Sequence, residues 1–245
     1  MPLWIERELL GAAVAALRKR EAADVASDAV RGLDALEELD LHPVLAKGFR
    51  AAGLGATREH PFPGPAGRRA KRSERERCDI VLTPEPGLTI RDPMREEVEE
   101  DERLGTLFAP VAAPTPDGIA PEDCFWLEIK VVGQFVYVDG VPRPNGSYSS
   151  ELVRGVMSDL AKLGRERRVS HGAVLLVLFT AERAVAEHDL AIALHRALDR
   201  GSSMRTPVVE GFEIVDRIGN AWCCVALIPA AEDRSREELA ADERG

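Results

Sequence analysis

Lysine is scarce in this sequence, although charged residues are not. Of the 32 basic residues in the 245-residue chain, all but five are arginine. An ammonium group is a compact charge whose pKa responds to its surroundings, whereas a guanidinium stays charged in almost any environment. A lysine at an unusual position therefore suggests a specific chemical role. The five lysines are Lys19, Lys47, Lys71, Lys130 and Lys162.

Other absences narrow the class of protein. No apolar run approaches the ~18 residues that a membrane-spanning helix needs, and the longest is GAVLLVLFT from Gly172. The acidic start MPLWIERELL lacks the pattern of a signal peptide. The four cysteines form no C-x-x-C pair, and neither a glycine-rich phosphate loop nor a nucleophile motif occurs. These features predict a reduced, cytoplasmic protein without a zinc site.

The charge is unevenly distributed along the chain. A net charge of −10 argues against general coating of nucleic acid, because non-specific affinity comes from the neutralisation of phosphates. Acidic residues cluster in REEVEEDER from Arg95, whereas basic residues crowd the stretch just before Asp79. That basic stretch is either a solvated loop or a phosphate-contacting surface. Its members are Arg68, Arg69, Lys71, Arg72, Arg75 and Arg77.

The hydrophobic pattern predicts an α/β fold. Its order is helix, strand, strand, strand, helix, strand, helix, strand, strand. Strand–helix–strand alternation around the apolar HGAVLLVLFT indicates a mixed central β-sheet flanked by helices. We expect a single domain over residues 1–230, with an inserted segment at 84–122 between two strands. A charged, flexible tail is expected over 231–245.

Individual elements follow from local patterns and breakers. Helical periodicity covers residues 3–40, Pro43 interrupts it, and a short helix is expected to end at Gly53 or Gly55. Later elements are a strand over 124–138 that bends near Gly133, a helix to about Gly164 and a helix over 182–199. The remaining strands are ATREHPFP, placed at a sheet edge by its prolines, RCDIVLTP, and a closing pair formed by FEIVDRIG and AWCCVALIPA.

The strand CFWLEIKVVGQFVY from Cys124 carries two charges in its apolar centre. Because side chains alternate between the faces of a strand, Glu128 and Lys130 point to the same face. Charges are rarely tolerated in such a position unless they are paired or used. A site that must position or deprotonate a water near a metal ion would favour lysine at 130.

A second carboxylate lies on a neighbouring predicted strand. Asp79, in RCDIVLTP, is flanked by apolar residues in the same way as Glu128. If the two strands pair antiparallel, the two carboxylates can converge on one metal ion, and the carbonyl of Ile129 can add a third oxygen. Magnesium prefers one or two protein carboxylates together with waters and phosphate oxygens.

In these residues the chain resembles the PD-(D/E)XK nuclease superfamily. The matching pieces are CDIVLT, FWLEIKVV and the helix and apolar strand that follow. The resemblance implies a restriction-endonuclease-like fold and a nuclease that hydrolyses phosphodiester bonds, most simply in DNA, with Mg²⁺ or Mn²⁺. It also implies that Asp79 and Glu128 are metal ligands and that Lys130 is catalytic.

The resemblance extends to two flanking helices, with some departures. The helix after the E-x-K strand offers Lys162, with Asp159 one turn away as its expected partner. The N-terminal helical region offers Glu37 or Glu38 as an assisting acid. Cys78 replaces the proline of the motif, and residues 80–127, 48 in number, separate the two acids, which is why an insertion is expected.

Two other functions remain open from the sequence. The fold could serve as a catalytically inactive binding or accessory module that acts through a protein partner, which suits the acidic net charge. A metabolic or regulatory α/β domain could instead use Glu128 and Lys130 as a structural ion pair. Nucleases of this kind often act as homodimers, but nothing in the sequence marks an interface.

Overall fold

The computed structural model describes residues 4–64, 75–104 and 118–231. The helices alternate with groups of strands along the chain. A π-helical turn lies at Glu151–Gly155. Short 3-10 helices lie at Leu33–Ala35 and Pro121–Asp123. The α-helices are α1 (Glu6–Ala26), α2 (Glu38–Ala51), α3 (Pro93–Leu104), α4 (Tyr148–Ser150), α5 (Val156–Arg165) and α6 (Arg183–Asp199).

Six strands form one mixed sheet and two form a separate hairpin. The sheet order is β1-β2-β3-β6-β8-β7. β3 and β6 are parallel, and the other neighbouring strands among the described residues are antiparallel. The strands are β1 (Gly55–Pro61), β2 (Arg77–Thr83), β3 (Phe125–Gly133), β4 (Phe135–Val138), β5 (Val141–Pro144), β6 (His171–Thr180), β7 (Val208–Glu213) and β8 (Trp222–Pro229).

Helices cover both faces of the sheet, as the alternation of the strands requires. Leu127 and Ile129 of β3 point to the face that is packed against α1 and α2. Trp126 and Val132 point to the opposite face, where the helices after β5 contribute Leu152, Leu160, Leu163 and Leu190. The predicted α/β fold with a mixed sheet flanked by helices is therefore confirmed.

Several predicted elements agree with the structure. β1 lies at a sheet edge, β6 is buried on both faces, and the chain turns after Gly133 into the β4–β5 hairpin. Residues 84–122, which contain α3, separate the two acid-bearing strands. Of the expected tail, residues 232–245 lie outside the described part of the chain.

The N-terminal prediction was wrong in two respects. The helix expected over residues 3–40 ends at Ala26, because Asp28 adopts a left-handed backbone with φ of 48°. The second helix starts at Glu38 and continues through Pro43 instead of being interrupted there. Pro43 is exposed on the helix surface, so the backbone carbonyl that loses its N–H partner can bind water.

The four cysteines are buried and free. None of the described helices combines the length and the apolar character needed to cross a membrane.

Candidate functional site

The strands that carry the two predicted acids separate at the point where those acids lie. β2 and β3 pair from Ile80 opposite Leu127 to Leu82 opposite Phe125. One further step in this register places Asp79 opposite Glu128, and opposite residues of an antiparallel pair share a face. Residues 77 and 78 pair with β1 but not with β3. We call the gap beside residues 128–131, where β2 no longer pairs with β3, the fork.

Asp79 occupies the fork and replaces the missing strand partner. Its Oδ2 accepts a hydrogen bond of 2.7 Å from the backbone N–H of Ile129. Burial raises the pKa of Asp79, although this hydrogen bond opposes the shift. The N–H and C=O of one strand residue point to the same side, so the Ile129 carbonyl also faces the fork. This orientation suits the predicted role of that carbonyl as an oxygen ligand.

Glu128 is a buried carboxylate, with only 3% of its surface exposed. Lys162 Nζ lies 2.9 Å from its Oε1 and 3.1 Å from its Oε2. Only the contact with Oε2 has hydrogen-bond geometry, which leaves Oε1 buried without a donor. Burial, and then the charge of Asp79, raise the pKa of Glu128 to about 8 in the absence of a metal ion.

Lys162 reaches the site from α5 and binds more than the carboxylate. Its ammonium donates a 2.6 Å hydrogen bond to the backbone carbonyl of Arg77 and lies 5.2 Å from the centre of the Phe62 ring. The expected pairing of Lys162 with Asp159 was wrong, because the ammonium turns towards Glu128 on β3. Burial lowers the pKa of Lys162, but the nearby carboxylates outweigh it and the net shift is upward.

Lys130 is held at the other end of the fork by Glu38. The Lys130 Nζ–Glu38 Oε2 distance is 2.8 Å, and the same oxygen lies 3.3 Å from the Val131 backbone N–H. Burial lowers the pKa of Lys130, but the hydrogen bond and the charge of Glu38 outweigh this effect, so the net shift is upward. Of the two predicted assisting acids, Glu38 reaches the site, whereas Glu37 is the residue that precedes α2.

The helix α5 also brings a fourth carboxylate to the fork, after Asp79, Glu128 and Glu38. Asp159 lies one turn before Lys162 and is only partly exposed. Burial raises its pKa to about 6, while Lys130 lowers it and the charges of Glu38 and Asp79 raise it. Asp159 therefore faces the same cluster as the predicted residues.

The predictions from sequence missed two residues that lie at the site. His42 Nδ1 lies 3.5 Å from Glu59 Oε1, and ligand atoms of His42, Glu59 and Asp79 lie within 4.8 Å of one another. His42 is 1% exposed, and its Nε2 has no hydrogen-bond partner among the described residues. A signal for His42 was present, since it follows Glu38 by four residues on one helix face. Glu59 gave no signal, because its placement depends on a φ of 52° within β1.

The predicted nucleic-acid-binding stretch is only partly described. Arg68, Arg69, Lys71 and Arg72 lie outside the described residues. Arg75 hydrogen-bonds Asp92 at 3.0 and 2.5 Å and the carbonyl of Phe62 at 3.1 Å. These hydrogen bonds give Arg75 a structural role, because they connect it to two other segments of the chain. Arg77 is exposed and donates a 2.8 Å hydrogen bond to the carbonyl of Glu59.

The residues at the fork fit a divalent cation. We call Glu38, Glu59, Asp79, Glu128 and Asp159 the acid cluster. Desolvation and mutual repulsion raise the pKa of Asp79, Glu128 and Asp159, and a bound cation would relieve both effects. Carboxylate and carbonyl oxygens suit Mg²⁺ or Mn²⁺, and the imidazole of His42 adds a nitrogen ligand that suits Mn²⁺ better.

Comparison of the chain with protein families, curated proteins and solved structures gave no match.

Proposed function

We propose that the chain is a divalent-metal-dependent nuclease of the PD-(D/E)XK superfamily, with a restriction-endonuclease-like fold and DNA as its substrate. One observation carries the proposal: Asp79 and Glu128 are adjacent, desolvated carboxylates at a fork in the sheet, beside Lys130 on the same strand face. A fold gains nothing from burying like charges together, since each raises the cost of ionising the other. A cation explains the arrangement.

Asp79, Glu128 through its Oε1, and the Ile129 carbonyl would hold the ion, with His42 and Glu59 on the far side of Asp79. When bound, Mg²⁺ or Mn²⁺ supplies two effects: it lowers the pKa of a water molecule and neutralises charge that develops on the phosphate. Asp79 would be the central ligand, because it lies close both to His42 and Glu59 and to Glu128.

Lys130 and Lys162 would have different roles in the reaction. Lys130 extends from the strand next to the metal ligands, and Glu38 fixes its ammonium at 2.8 Å, so it can orient a water molecule or stabilise the charged transition state. Lys162 holds Glu128 in place and presents positive charge at the fork. Both side chains are mostly buried, which strengthens their electrostatic effect on a phosphate group.

The test is cleavage of plasmid and single-stranded DNA with Mg²⁺, Mn²⁺ or a chelator. We expect metal-dependent cleavage that falls by ~100-fold or more in Lys130→Ala and in Asp79→Asn. Lys47→Ala is the matched control, because Lys47 is an exposed lysine on α2 and its loss should leave cleavage unchanged.

A folded protein that cuts neither substrate with any metal would contradict the proposal. The catalytically inactive accessory module would then be favoured. One observation already suits that alternative, since Glu38 and Glu128 each contact a lysine ammonium, of Lys130 and Lys162, without a metal ion. Equal cleavage by Lys130→Ala and the parent protein would instead contradict the assignment of this site.

A further inference from the structure

We propose that Lys162 acts as a resident cation of the site, in the position that a second metal ion fills in two-metal enzymes, so that the protein binds one divalent ion. This inference rests on the proposed function and concerns the number of metal ions. It assigns Lys162 the role of a positioning residue that hydrogen-bonds Glu128 Oε2 and leaves Glu128 Oε1 and Asp79 to the divalent ion.

The surroundings of the Lys162 ammonium are those of a cation site. Three oxygens lie within 3.1 Å of Nζ: both carboxylate oxygens of Glu128 and the backbone carbonyl of Arg77. The Phe62 ring lies 5.2 Å away and adds a cation–π contact. The side chain of Lys162 is 20% exposed and that of Glu128 only 4%. Such a desolvated carboxylate requires a cation, and the chain supplies its own.

The second group of ligands lies on the other side of Asp79. His42, Glu59 and Asp79 bring their ligand atoms within 4.8 Å of one another, and in the described part of the chain nothing hydrogen-bonds Nε2 of the buried His42. In two-metal sites the ions lie about 3.5–4 Å apart. An ammonium against Glu128 occupies that neighbouring position and repels a second divalent ion, while the group around Asp79 stays available to the first.

The choice of lysine at 162 agrees with this role. The chain uses arginine for nearly all its other basic residues. A planar guanidinium presents its donors as a fork, whereas an ammonium is a small sphere with three donors and resembles a hydrated metal ion more closely. Two of its donors reach Glu128 and Arg77, which leaves a third for a substrate phosphate.

The experiment counts bound Mn²⁺ on the full chain without substrate, by electron paramagnetic resonance and calorimetry. We expect one Mn²⁺ per chain in the parent protein and in the Lys47→Ala control. Lys162→Ala, which vacates the position beside Glu128, is expected to bind a second, weaker Mn²⁺. Lys162→Met keeps the hydrocarbon stem and serves as a second variant if the alanine variant does not fold.

A second measurement tests the ammonium itself. Methylammonium should raise the melting temperature of Lys162→Ala and restore part of its DNA cleavage, without either effect on the parent protein. Tetramethylammonium, which has the charge but no N–H donor, should do neither.

The outcomes separate the two proposals. Two Mn²⁺ ions in the parent protein would overturn the resident-cation role and leave the nuclease proposal intact. An unchanged count of one in the Lys162 variants, without an effect of methylammonium, would overturn it as well. A parent protein that binds no Mn²⁺ would remove the proposed metal-dependent function and this inference with it.

Discussion

Desolvation of carboxylates dominates the electrostatics of the site at the scale of single residues. Five carboxylates converge on the fork, and the raised pKa values of Asp79, Glu128 and Asp159 reflect burial together with the charges of the other acids. The lysines offset only part of the cost of burying these carboxylates, and each lysine is itself partly desolvated. The protein therefore sacrifices stability at this point, which is common at binding sites.

The raised pKa of Glu128 predicts how stability depends on pH without metal. The pKa of about 8 means that the folded protein holds this proton up to about pH 8, whereas an unfolded chain releases it near the ordinary glutamate pKa of 4.5. Between these values the folded state binds more protons, so the free energy of unfolding falls as pH rises from about 4.5 to 8. We expect a loss on the order of 1–3 kcal/mol across this range, measured by urea unfolding in the presence of a chelator.

Glu128→Gln provides the comparison, because it removes the titrating proton and keeps the shape of the side chain. Its unfolding free energy should lose most of this pH dependence. A parent protein whose stability is flat from pH 5 to 8 would contradict the raised pKa. Saturating Mg²⁺ should restore stability most strongly near pH 8, where Glu128 is ionised.

His42 should influence which metal the site prefers. Imidazole nitrogen is a better ligand for Mn²⁺ than for Mg²⁺, and a ring nitrogen of the buried His42 lies within 4.8 Å of the ligand atoms of Glu59 and Asp79. We expect His42→Asn to weaken Mn²⁺ binding by roughly 10-fold and to affect Mg²⁺ much less. Calorimetric titration of both ions measures this, with the exposed His188→Asn on α6 as control. Equal losses for the two ions would exclude His42 as a ligand.

At the scale of elements, the π-helical turn and Gly155 bring α5 against the lysine of the E-x-K strand. π-helical turns are rare and often mark functional positions. The turn covers Glu151–Gly155, and a Cβ added at Gly155 would lie 2.8 Å from Cδ of Lys130. The helix can approach β3 so closely only because residue 155 has no side chain.

Gly155→Ala should therefore impair function with little effect on the fold. The flexible stem of Lys130 can move away from the new methyl group, but its ammonium then shifts relative to Glu38. We expect cleavage to fall by about 10-fold or more, while the melting temperature changes little. Gly164→Ala in the same helix is the matched control, because a Cβ there meets no atom within 4 Å. Equal activities of the two variants would contradict this role of Gly155.

The predictability of the site follows from the same local geometry. The period of a strand places Glu128 and Lys130 on one face, and the apolar flanks of Asp79 mark a second strand, so sequence alone brought these three residues together. The partner of Lys162 could not be predicted in this way, because it depends on how α5 crosses β3. Glu59 depends on one left-handed residue in β1, for which a glutamate gives no sequence signal.

The fold was predictable to a similar extent. Buried strands such as HGAVLLVLFT can be recognised from their own apolar residues. The mixed sheet was predicted from these strands and from the helices that alternate with them. The break at Asp28 and the passage of α2 through Pro43 depend on tertiary contacts that override local propensity.

At the scale of the whole molecule, a buried ion pair connects α1 to the segment that follows the edge strand β7. Glu21 of α1 and Arg217, which follows β7, lie 3.0 Å apart, with side chains 8% and 10% exposed. Arg217 also donates a 3.1 Å hydrogen bond to the carbonyl of Ala29. This contact fixes the chain between α1 and α2, and hence the start of the helix that supplies Glu38 and His42.

Removal of Arg217 should destabilise the whole protein. Arg217→Met leaves the Glu21 carboxylate buried without its counter-charge, which typically costs about 3–5 kcal/mol. Arg18→Met is the matched control, because the Arg18–Glu210 pair is about half exposed and should contribute less than ~1 kcal/mol. Urea unfolding of both variants measures the difference, and similar losses would contradict the structural role of the buried pair.

The parallel pairing of β3 with β6 determines when the site can form during synthesis. A parallel partner cannot be reached through a tight turn, so the segment that contains α5 must be made before the two strands pair. Glu38, Asp79 and Glu128 leave the ribosome before Lys162 does, and the growing chain carries their charges without that ammonium. The nascent site is therefore complete only after α5 has emerged, and a chain that ends before α5 carries Asp79 and Glu128 on β2 and β3 without the counter-charge of Lys162.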